Sequence, residues 1–333
     1  MTDGIYILAN DIVFDQAIAL LNSIEVNAGQ DFPVCIIPYD DRLDRLRQEL
    51  RSRPNVELFE DKTILNHWEE FATKIWRSHP DAIPIWKQKG IAGNNGIYRL
   101  GMHRRFCGFD GIFDRFIYLD ADILILDKLQ PFFDGLDEFD AVVYDYQYKD
   151  LAHVFRSTPK LEALFPGDRL QNIFCAGLYC SKKGLFDEAK QEELLSHLKA
   201  GEAEVLYPNA PDQTIINYMM MRSGLSVCNF TRHWPPGRAT GCCVTSPHFE
   251  QRDNLVYDCG VRLTYLHYIG LSSGIFEQLC RGENIDFPYR ETFLHYRYLH
   301  EPEKRPQFHG KPKPYNPPPS LTARFLRKLK LKK

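Results

Sequence analysis

Short apolar runs alternate with amphipathic segments along the first sixty residues. GIYILAN and FPVCIIPY are continuous apolar runs that stop at polar residues, which is typical of buried strands. FDQAIALLNSIEVNAG and DDRLDRLRQELRSR instead carry apolar residues at helical spacing, and NVELFED is a third strand candidate. This order of elements predicts an α/β fold, with a mostly parallel central sheet and helices on both of its faces.

The same pattern continues through the middle of the chain. FDRFIYLDADILIL is the most apolar strand candidate, and GIYRLGMHRRFCGF before it is predicted to be a helix. FDAVVYDYQY and NIFCAGLYCSKKG are further strand candidates, whereas PDQTIINYMMMRSG is predicted to be helical. Ligands of such sheets gather at the carboxyl ends of the strands, so the polar residues that follow each apolar run are the first candidates for a binding site.

Composition narrows the class of protein. The chain has 333 residues, of which 44% are hydrophobic and 13% aromatic, so it can bury a large core. A net charge of -3 gives no reason to expect nucleic acid as a partner. The 9 cysteines are scattered and form no CxxC pair, which favours a reducing cytoplasm over secretion. The amino terminus lacks the basic start of a signal peptide, and no uncharged run reaches the roughly 18–20 residues of a membrane span.

The last segment differs from the rest in charge. From Lys304 onward there is no acidic residue but there are 10 Lys and Arg residues, and prolines fill its first half. We therefore predict one α/β domain over residues 1–300, followed by a Pro-rich linker and basic tail over 301–333. SLTARFLRKLKLKK has the spacing of a basic amphipathic helix, with Leu321, Phe325 and Leu329 on one face. Peripheral binding to an anionic membrane and a merely solvated tail both fit this composition.

The apolar run FIYLDADILIL delivers two carboxylates, Asp120 and Asp122. Since side chains alternate along a strand, positions i and i+2 are expected on the same face. Neighbouring carboxylates repel each other unless a cation lies between them, and their hard oxygens suit Mn²⁺ or Mg²⁺. The motif by itself is weak, because a strand end with turn-forming aspartates gives the same letters. A phosphatase-type DxDxT strand is disfavoured, since Leu124 stands where that motif has its hydroxyl.

Several motifs in a fixed order accompany this run over residues 4–275, and together they resemble a known family. They are ILAND, YRLGMHRRF, YLDADILIL, FCAGLYCSKKG, PDQTIIN and HYIGLSSG. The sequence resembles the GT-A-fold retaining glycosyltransferases of family 8, which include glycogenin and bacterial lipopolysaccharide galactosyltransferases. The resemblance implies transfer of a sugar, with retention, from a nucleoside-diphosphate donor to an acceptor hydroxyl. It favours a UDP-sugar as the donor and Mn²⁺ or Mg²⁺ as the cofactor.

The resemblance also implies roles for the matching residues on the nucleotide and metal side. Asp122 and His267 would ligate the metal directly. Asp120 would lie near both the ribose and the metal, and it is counted with the metal ligands. Asn10 and Asp11 would contact the base and the ribose.

Further roles follow on the sugar side of the donor. Arg99 would be the basic residue that contacts the donor, and Gly270 would let the backbone approach the diphosphate. Asp212 and Gln213 would face the transferred sugar, with Gln213 near its reacting carbon. Asp145 matches a position that contacts the sugar or the acceptor, which would be a glycan, a lipid-linked molecule or a protein.

Three departures from the family pattern bear on specificity. Asn10 stands where the family usually has Asp, which weakens the expectation of uracil. Cys175 replaces the usual Asn, so one contact to a sugar hydroxyl is expected to change. The late motif has Leu271-Ser272-Ser273 where a Lys is usual, so Arg238, Arg262 or another cation would have to balance the charge of the diphosphate.

Alternative interpretations stay open at this point. His267 lies in an apolar run and could be a core histidine, Asp212 could be only a helix N-cap, and Arg99 could be a surface residue. A sugar nucleotidyltransferase would share the sheet, but it normally has a Gly-rich loop after the first strand, and ILANDIVFDQ has none. The chain could also be a non-catalytic protein that binds a sugar nucleotide or a partner.

Overall fold

The structure is a computed structural model that describes residues 1–93, 95–156, 158–233, 246 and 248–317. Two sequence predictions lie outside the described residues. These are the candidate cation Arg238 and the basic amphipathic segment with Leu321, Phe325 and Leu329.

Fourteen strands are found within the described ranges. They are β1 (Asp3–Ala9), β2 (Val34–Pro38), β3 (Val56–Leu58), β4 (Arg115–Asp120), β5 (Ile123–Ile125), β6 (Ala141–Val143), β7 (Leu178–Lys182), β8 (Val227–Asn229), β9 (Glu250–Arg252), β10 (Leu255–Asp258), β11 (Val261–Arg262), β12 (Tyr265–His267), β13 (Ile285–Asp286) and β14 (Lys313–Pro314). Seven of them form the central sheet in the order β3-β2-β1-β4-β7-β6-β8. Strands β3, β2, β1 and β4 are parallel, β6 is parallel to β8, and β7 runs antiparallel to both of its neighbours. The predicted mostly parallel sheet is therefore confirmed.

Helices connect and cover these strands. The α-helices of the described residues are α1 (Phe14–Asn27), α2 (Asp44–Leu50), α3 (Lys62–Ser78), α4 (Ala82–Gln88), α5 (Gln130–Gly135), α6 (Thr158–Leu164), α7 (Glu188–Lys199), α8 (Pro211–Arg222), α9 (Phe230–His233), α10 (Ser273–Cys280) and α11 (Arg290–Arg297). Short 3-10 helices cover Asp11–Val13, Leu100–Phe109, Gln147–Lys149, Leu151–His153, Gly167–Asn172, Glu202–Val205 and Pro302–Lys304. Among these helices and the rest of the described chain, none is both long and apolar enough to span a membrane.

Both faces of the central sheet are buried, which explains why its strands have continuous apolar sequences. Tyr6 and Leu8 of β1 face one core, which includes residues of α3, α7 and α8. Ile5 and Ile7, at the alternate positions, face a second core formed with α1 and α5. The sheet is thus a middle layer between two helical layers, as predicted.

A third core lies beside the sheet and extends toward the carboxyl terminus. It is built from aromatic side chains around the antiparallel β5–β12 pair, α10 and α11. Helix α11 packs on α1, where the side-chain amide of Asn22 donates a hydrogen bond to the carbonyl of Tyr296 at 2.8 Å. Residues 302–315 continue this packing, because β14 pairs with β13 and the amide of Tyr315 donates to Asp286 O at 3.0 Å. The packed part of the chain therefore extends beyond residue 300.

Three predicted elements differ from the observed ones. The apolar run 115–125 is two strands, β4 and β5, which belong to different sheets. The predicted helix before it is the 3-10 helix Leu100–Phe109, and Arg99 in front of it has a left-handed backbone conformation. The strand predicted for NIFCAGLYCSKKG is limited to β7, and residues 173–177 form a loop at the edge of the sheet.

Candidate active site

A turn between β4 and β5 brings the two carboxylates together. Asp120 is the last residue of β4 in the central sheet, whereas Asp122 lies in the turn that leads to β5. The expectation that strand alternation places both side chains on one face is therefore wrong, because the chain leaves the sheet between them. Their proximity is a property of the turn and of the sheet change.

His267 joins the two carboxylates through strand pairing. It ends β12, which pairs with β5 so that His267 lies opposite Ile123. Its Nε2 lies 3.3 Å from Asp122 Oδ1. Asp120, Asp122 and His267 each offer one ligand atom, and these atoms lie within 4.8 Å of one another. The ring is buried, but it faces a carboxylate instead of the apolar core.

The far side of the imidazole is enclosed by the loop before β7. Cys175 Sγ lies 3.9 Å from His267 Nδ1. A Cβ added to Gly177 would lie 2.5 Å from His267 Cε1, so no larger residue fits without moving the ring. Gly177 therefore leaves the space that the imidazole occupies, a role that its place in the FCAGLYCSKKG motif did not indicate. Only its contact with a residue far along the chain reveals that role.

The charges of this cluster depend on one another. Burial lowers the pKa of His267, but the Asp122 carboxylate opposes this and the net pKa is well above its usual value. For Asp122, burial raises the pKa, and the opposing charge of His267 brings it below its usual value. Burial raises the pKa of Asp120. The charge of Arg105 acts to lower this pKa, whereas the charge of Asp122 acts to raise it further. Two carboxylates and an imidazole form a donor set that fits Mn²⁺ well, while Mg²⁺ prefers oxygen ligands alone.

Arg105 is the charged centre behind the cluster, and sequence reasoning missed it. Its Nη2 lies 3.0 Å from Asp120 Oδ1 and 2.8 Å from Asp212 Oδ2, while Nη1 donates to Ala176 O at 2.7 Å. Its guanidinium also lies 4.7 Å from the ring centroid of Tyr118, whose hydroxyl donates to Asp120 Oδ1 at 2.7 Å. Burial alone would lower the pKa of Arg105, but the two carboxylates raise it, so it stays charged although it is almost fully buried.

Helix α8 carries the predicted sugar-facing residues Asp212 and Gln213. The helix N-cap is Ala210, so the alternative that Asp212 is only an N-cap is wrong. Its carboxylate instead pairs with Arg105. Gln213 Oε1 accepts a hydrogen bond from the amide of Ala176 at 3.1 Å, and its Nε2 donates to His153 O at 3.3 Å.

The residues after β1 differ in where their side chains point. Asn10 Oδ1 accepts from the amide of Ile12 at 3.0 Å, and its Nδ2 donates to Asp40 Oδ2 at 3.0 Å. The Asp11 carboxylate instead accepts hydrogen bonds from the first turn of α2, at 3.0 Å from the amide of Arg45 and 3.1 Å from that of Leu46. Asn10 therefore lines the cleft, whereas the Asp11 carboxylate caps a helix.

Two adjacent cavities meet at the carboxylate pair. The first, of about 460 Å³, is lined among others by Asn10 and Tyr39. The second, of about 470 Å³, is lined among others by Gln213 and Gly270. Their shared lining residues are Arg99, Met102, Asp120, Asp122, Leu271 and Ser272.

Of the remaining predicted residues, Gly270 lines a cavity, whereas Asp145 and Arg262 do not line either of the two. Gly270 has a φ of +89°, a backbone conformation that favours glycine. A Cβ at this position would meet no atom within 4 Å, so lack of space is not the reason for the glycine. Asp145 lines neither cavity. Its carboxylate accepts from the amides of Gln147 at 2.7 Å and Cys175 at 3.1 Å, and so ties the loop after β6 to the loop before β7. Arg262, the candidate cation, is also elsewhere, since it donates to Asn27 Oδ1 at 2.8 Å.

Comparison with known proteins identifies the fold. No protein-family model matches the chain, and no curated protein sequence matches it. The solved galactosyltransferase LgtC, in complex with donor and acceptor sugar analogues, is similar over 90% of this chain and 96% of that chain, with 15% identity and a TM-score of 0.51. The bifunctional glycosyltransferase WbbM in its apo form is similar over 92% of this chain, with 16% identity and a TM-score of 0.53. The chain spans only 52% of the length of WbbM.

These similarities define the class of structure. The chain has the GT-A fold of glycosyltransferases, with the cluster of Asp120, Asp122 and His267 at the edge of its central sheet. The fold predicted from the sequence motifs is confirmed. At 15% and 16% identity the two structures establish the architecture alone.

Proposed function

We propose that the chain is a metal-dependent glycosyltransferase of the retaining family 8 type. It would transfer a sugar from a nucleoside-diphosphate donor, with a UDP-sugar favoured, to an acceptor hydroxyl on a glycan, a lipid-linked molecule or a protein. One observation carries the proposal. Asp120, Asp122 and His267 offer ligand atoms within 4.8 Å of one another where two cavities of a GT-A fold meet.

The two cavities support a division of the donor between them. In this proposal the nucleoside lies in the cavity lined by Asn10 and Tyr39, and the sugar lies in the cavity lined by Asp212 and Gln213. A Mn²⁺ or Mg²⁺ ion held by Asp120, Asp122 and His267 would neutralise the charge that develops on the departing diphosphate. Asp11 and Asp145 have carboxylates already bound to backbone amides, so they support the walls of the site in this proposal.

Retention of configuration is proposed to occur by attack on the same face of the sugar. The carboxylates that line the sugar cavity are the two proposed metal ligands and Asp212, and Asp212 is held by Arg105. The carboxamide of Gln213 is a poor nucleophile, and both of its ends are hydrogen-bonded to the chain. A covalent intermediate of the kind formed by retaining glycosidases therefore has no good nucleophile among the described residues that line this cavity.

A second candidate is a non-catalytic protein that binds sugar nucleotides. It is favoured by Cys175 at the position of a usual Asn and by Leu271-Ser272-Ser273 where a Lys is usual. Such a protein would bind a nucleotide sugar in the same cleft without turnover.

The proposal is tested by a screen of nucleotide sugars with and without Mn²⁺. We expect at least one UDP-sugar to raise the melting temperature in the presence of Mn²⁺ and to be hydrolysed slowly. Asp122→Asn should abolish both effects, whereas the charge-matched surface variant Glu162→Gln should keep them. Stabilisation by none of the donors would overturn the proposal, and stabilisation without hydrolysis or transfer would favour the second candidate. An inverted product linkage would overturn the placement in family 8.

A further inference from the structure

A cavity of about 670 Å³ lies away from the candidate active site, between α1 and the end of α11. Residues of α1, of the segment 49–56 and of the segment 297–301 line it, and we call it the α1–α11 groove. Its volume falls in the range of roughly 300–1,000 Å³ that is typical of binding pockets. Within the described chain it shares no lining residue with the two cavities of the candidate site, so the proposed sugar transfer gives it no role.

The floor of the groove is apolar. It is formed by core residues of α1, β2 and β3, which are Ile18, Leu21, Ile24, Val34 and Val56. An apolar side chain that enters the groove would leave water and contact these side chains, which is favourable.

The charges at the rim of the groove differ in their exposure. Glu25 lies 3.8 Å from Arg53, and the Glu25 side chain is 49% exposed whereas that of Arg53 is 12% exposed. Glu301 is likewise 37% exposed, while its partner Arg297 is 10% exposed. His300 Nε2 lies 2.9 Å from Glu25 Oε2 and so is also bound to a rim carboxylate.

The two arginines are bound within the protein. Arg53 donates to Asn22 Oδ1 at 2.7 Å and to Glu49 Oε1 at 3.0 Å. Arg297 donates to Asp15 Oδ1 at 2.7 Å. The charges that face water are therefore mainly carboxylates, and they form an acidic rim of Glu25, Asp31, Glu49 and Glu301.

The end of the chain has the complementary chemistry. Residues 318–333 contain six Lys and Arg residues and no acidic residue. Leu321, Phe325 and Leu329 recur among them at helical spacing. A segment with basic and apolar side chains fits a groove that has an acidic rim and an apolar floor.

The described chain ends close enough to the groove for this segment to reach it. The amide of Tyr315 donates to Asp286 O at 3.0 Å. Four residues after Asp286, α11 begins at Arg290 and leads to Arg297 at the groove. An extended chain covers at most ~3.6 Å per residue and a helix about 1.5 Å, so Tyr315 lies within about 30 Å of Arg297. The ten residues from Tyr315 to Phe325 span up to about 35 Å.

We propose that the α1–α11 groove binds the basic segment 318–333 of the same chain. The apolar side chains of the segment enter the groove, and its Lys and Arg residues pair with the acidic rim. Because the segment is tethered, its effective concentration at the groove is on the order of millimolar, and weak contacts are enough to hold it. The groove and an anionic lipid surface then compete for the same residues. This inference does not depend on the proposed sugar transfer.

The first test is carbodiimide cross-linking of the full chain, which joins a lysine to a carboxylate in contact with it. An equal mixture of ¹⁴N- and ¹⁵N-labelled protein separates links within one chain from links between copies. Lys328 or Lys330 should be joined to the acidic rim within one chain. Lys190 and Glu193, which lie 2.7 Å apart, are the positive control. The inference is overturned if the control pair is joined and the tail is not, or if the tail links join different copies.

The second test measures how fast trypsin cleaves the full chain after Arg327, relative to a free peptide of residues 318–333. In the wild type this cleavage should be about fivefold or more slower than in the peptide. Glu25→Gln with Asp31→Asn removes two rim charges and should speed it about threefold or more. Glu162→Gln with Glu192→Gln makes the same charge change on α6 and α7 and should leave the wild-type rate.

Equal cleavage rates in the two double variants would contradict the role of the rim. Cleavage of the wild type as fast as that of the peptide would show that the tail is not bound. The cross-linking test needs no variant, so it decides between the outcomes even if a double variant folds poorly.

Discussion

Arg105 shows how one buried side chain can hold two elements of the candidate site together. Its guanidinium bonds Asp120 at the end of β4 and Asp212 in the first turn of α8. Replacing it by Met would leave two carboxylates close together and buried without a cation. We expect Arg105→Met to lower the free energy of unfolding by about 3–5 kcal/mol, measured by chemical denaturation.

The neighbouring Arg104 provides a matched control. It pairs with Glu69 at 2.6 Å and is more accessible to water than Arg105. Arg104→Met should therefore lower the free energy of unfolding clearly less than Arg105→Met, because water can still solvate the Glu69 carboxylate that is left behind. Equal stability of the two variants would show that Arg105 has no special structural role.

Asp145 predicts a dependence of stability on pH. Burial raises its pKa to about 7, although the amides of Gln147 and Cys175 act to lower it. In the unfolded chain the pKa of this carboxyl is about 3.9. Between about pH 4 and pH 7 the folded state therefore holds a proton that the unfolded state has lost. The contribution of Asp145 to the free energy of unfolding is therefore most favourable at low pH, and it falls by about 4 kcal/mol as the pH rises to 7.

Comparison with Asp145→Asn isolates this effect, because the amide does not titrate. Chemical denaturation from pH 4 to pH 8 should show the wild type losing stability relative to the variant as pH rises. Curves that stay parallel over that range would contradict the buried, protonated state of Asp145.

At the scale of elements, the loop before β7 fixes the orientation of His267 at the end of β12. The methyl group of Gly177→Ala would overlap the imidazole, which must move away from the carboxylates. We expect at least a tenfold loss of Mn²⁺ affinity, measured by calorimetry, with a cost in stability of about 1–3 kcal/mol.

Gly274→Ala is the matched control for this element. Gly274 lies in α10, and the nearest atom to an added Cβ is Ser272 Oγ at 4.0 Å. This variant should bind Mn²⁺ like the wild type and be slightly more stable, since alanine favours a helix. Wild-type Mn²⁺ affinity in Gly177→Ala would show that the loop does not position His267.

The elements were predicted unequally well, for a physical reason. The pattern of apolar residues identified α1, β1 and β2, because each of these elements carries its whole pattern within its own residues. The division between β4 and β5 was missed, since the run 115–125 stays apolar across it. What interrupts the strand is the pairing of β5 with β12, about 140 residues further along the chain.

At the scale of the whole molecule, residues 301–316 belong to the folded unit. Phe308 and Tyr315 pack against the third core, and Arg305 pairs with Glu291. Truncation after residue 300 should lower the free energy of unfolding by about 2 kcal/mol or more, because this apolar surface becomes exposed. A chain truncated after residue 317 keeps these contacts and is the control. If both truncated chains have the same free energy of unfolding, the packing of residues 301–316 does not stabilise the folded state.

This boundary also affects how the basic tail should be tested. Binding to an anionic membrane stays a prediction, and deletion from Lys304 would disturb the third core as well. Vesicle binding by the full chain, compared with residues 1–317, tests the tail without that disturbance. A loss of binding to vesicles with anionic lipid would support the membrane role over a merely solvated tail.

The sequence by itself determined the fold class and most of the order of elements, and it identified Asp120, Asp122 and His267 as candidates for one cluster. Those features depend on local periodicity and on motifs whose letters stand close together. The tertiary structure alone decided that Arg105 is buried between two carboxylates, and that Gly177 contacts His267. An arginine in a polar segment has the sequence signature of a surface residue. Its burial becomes favourable only through partners that folding brings from distant parts of the chain.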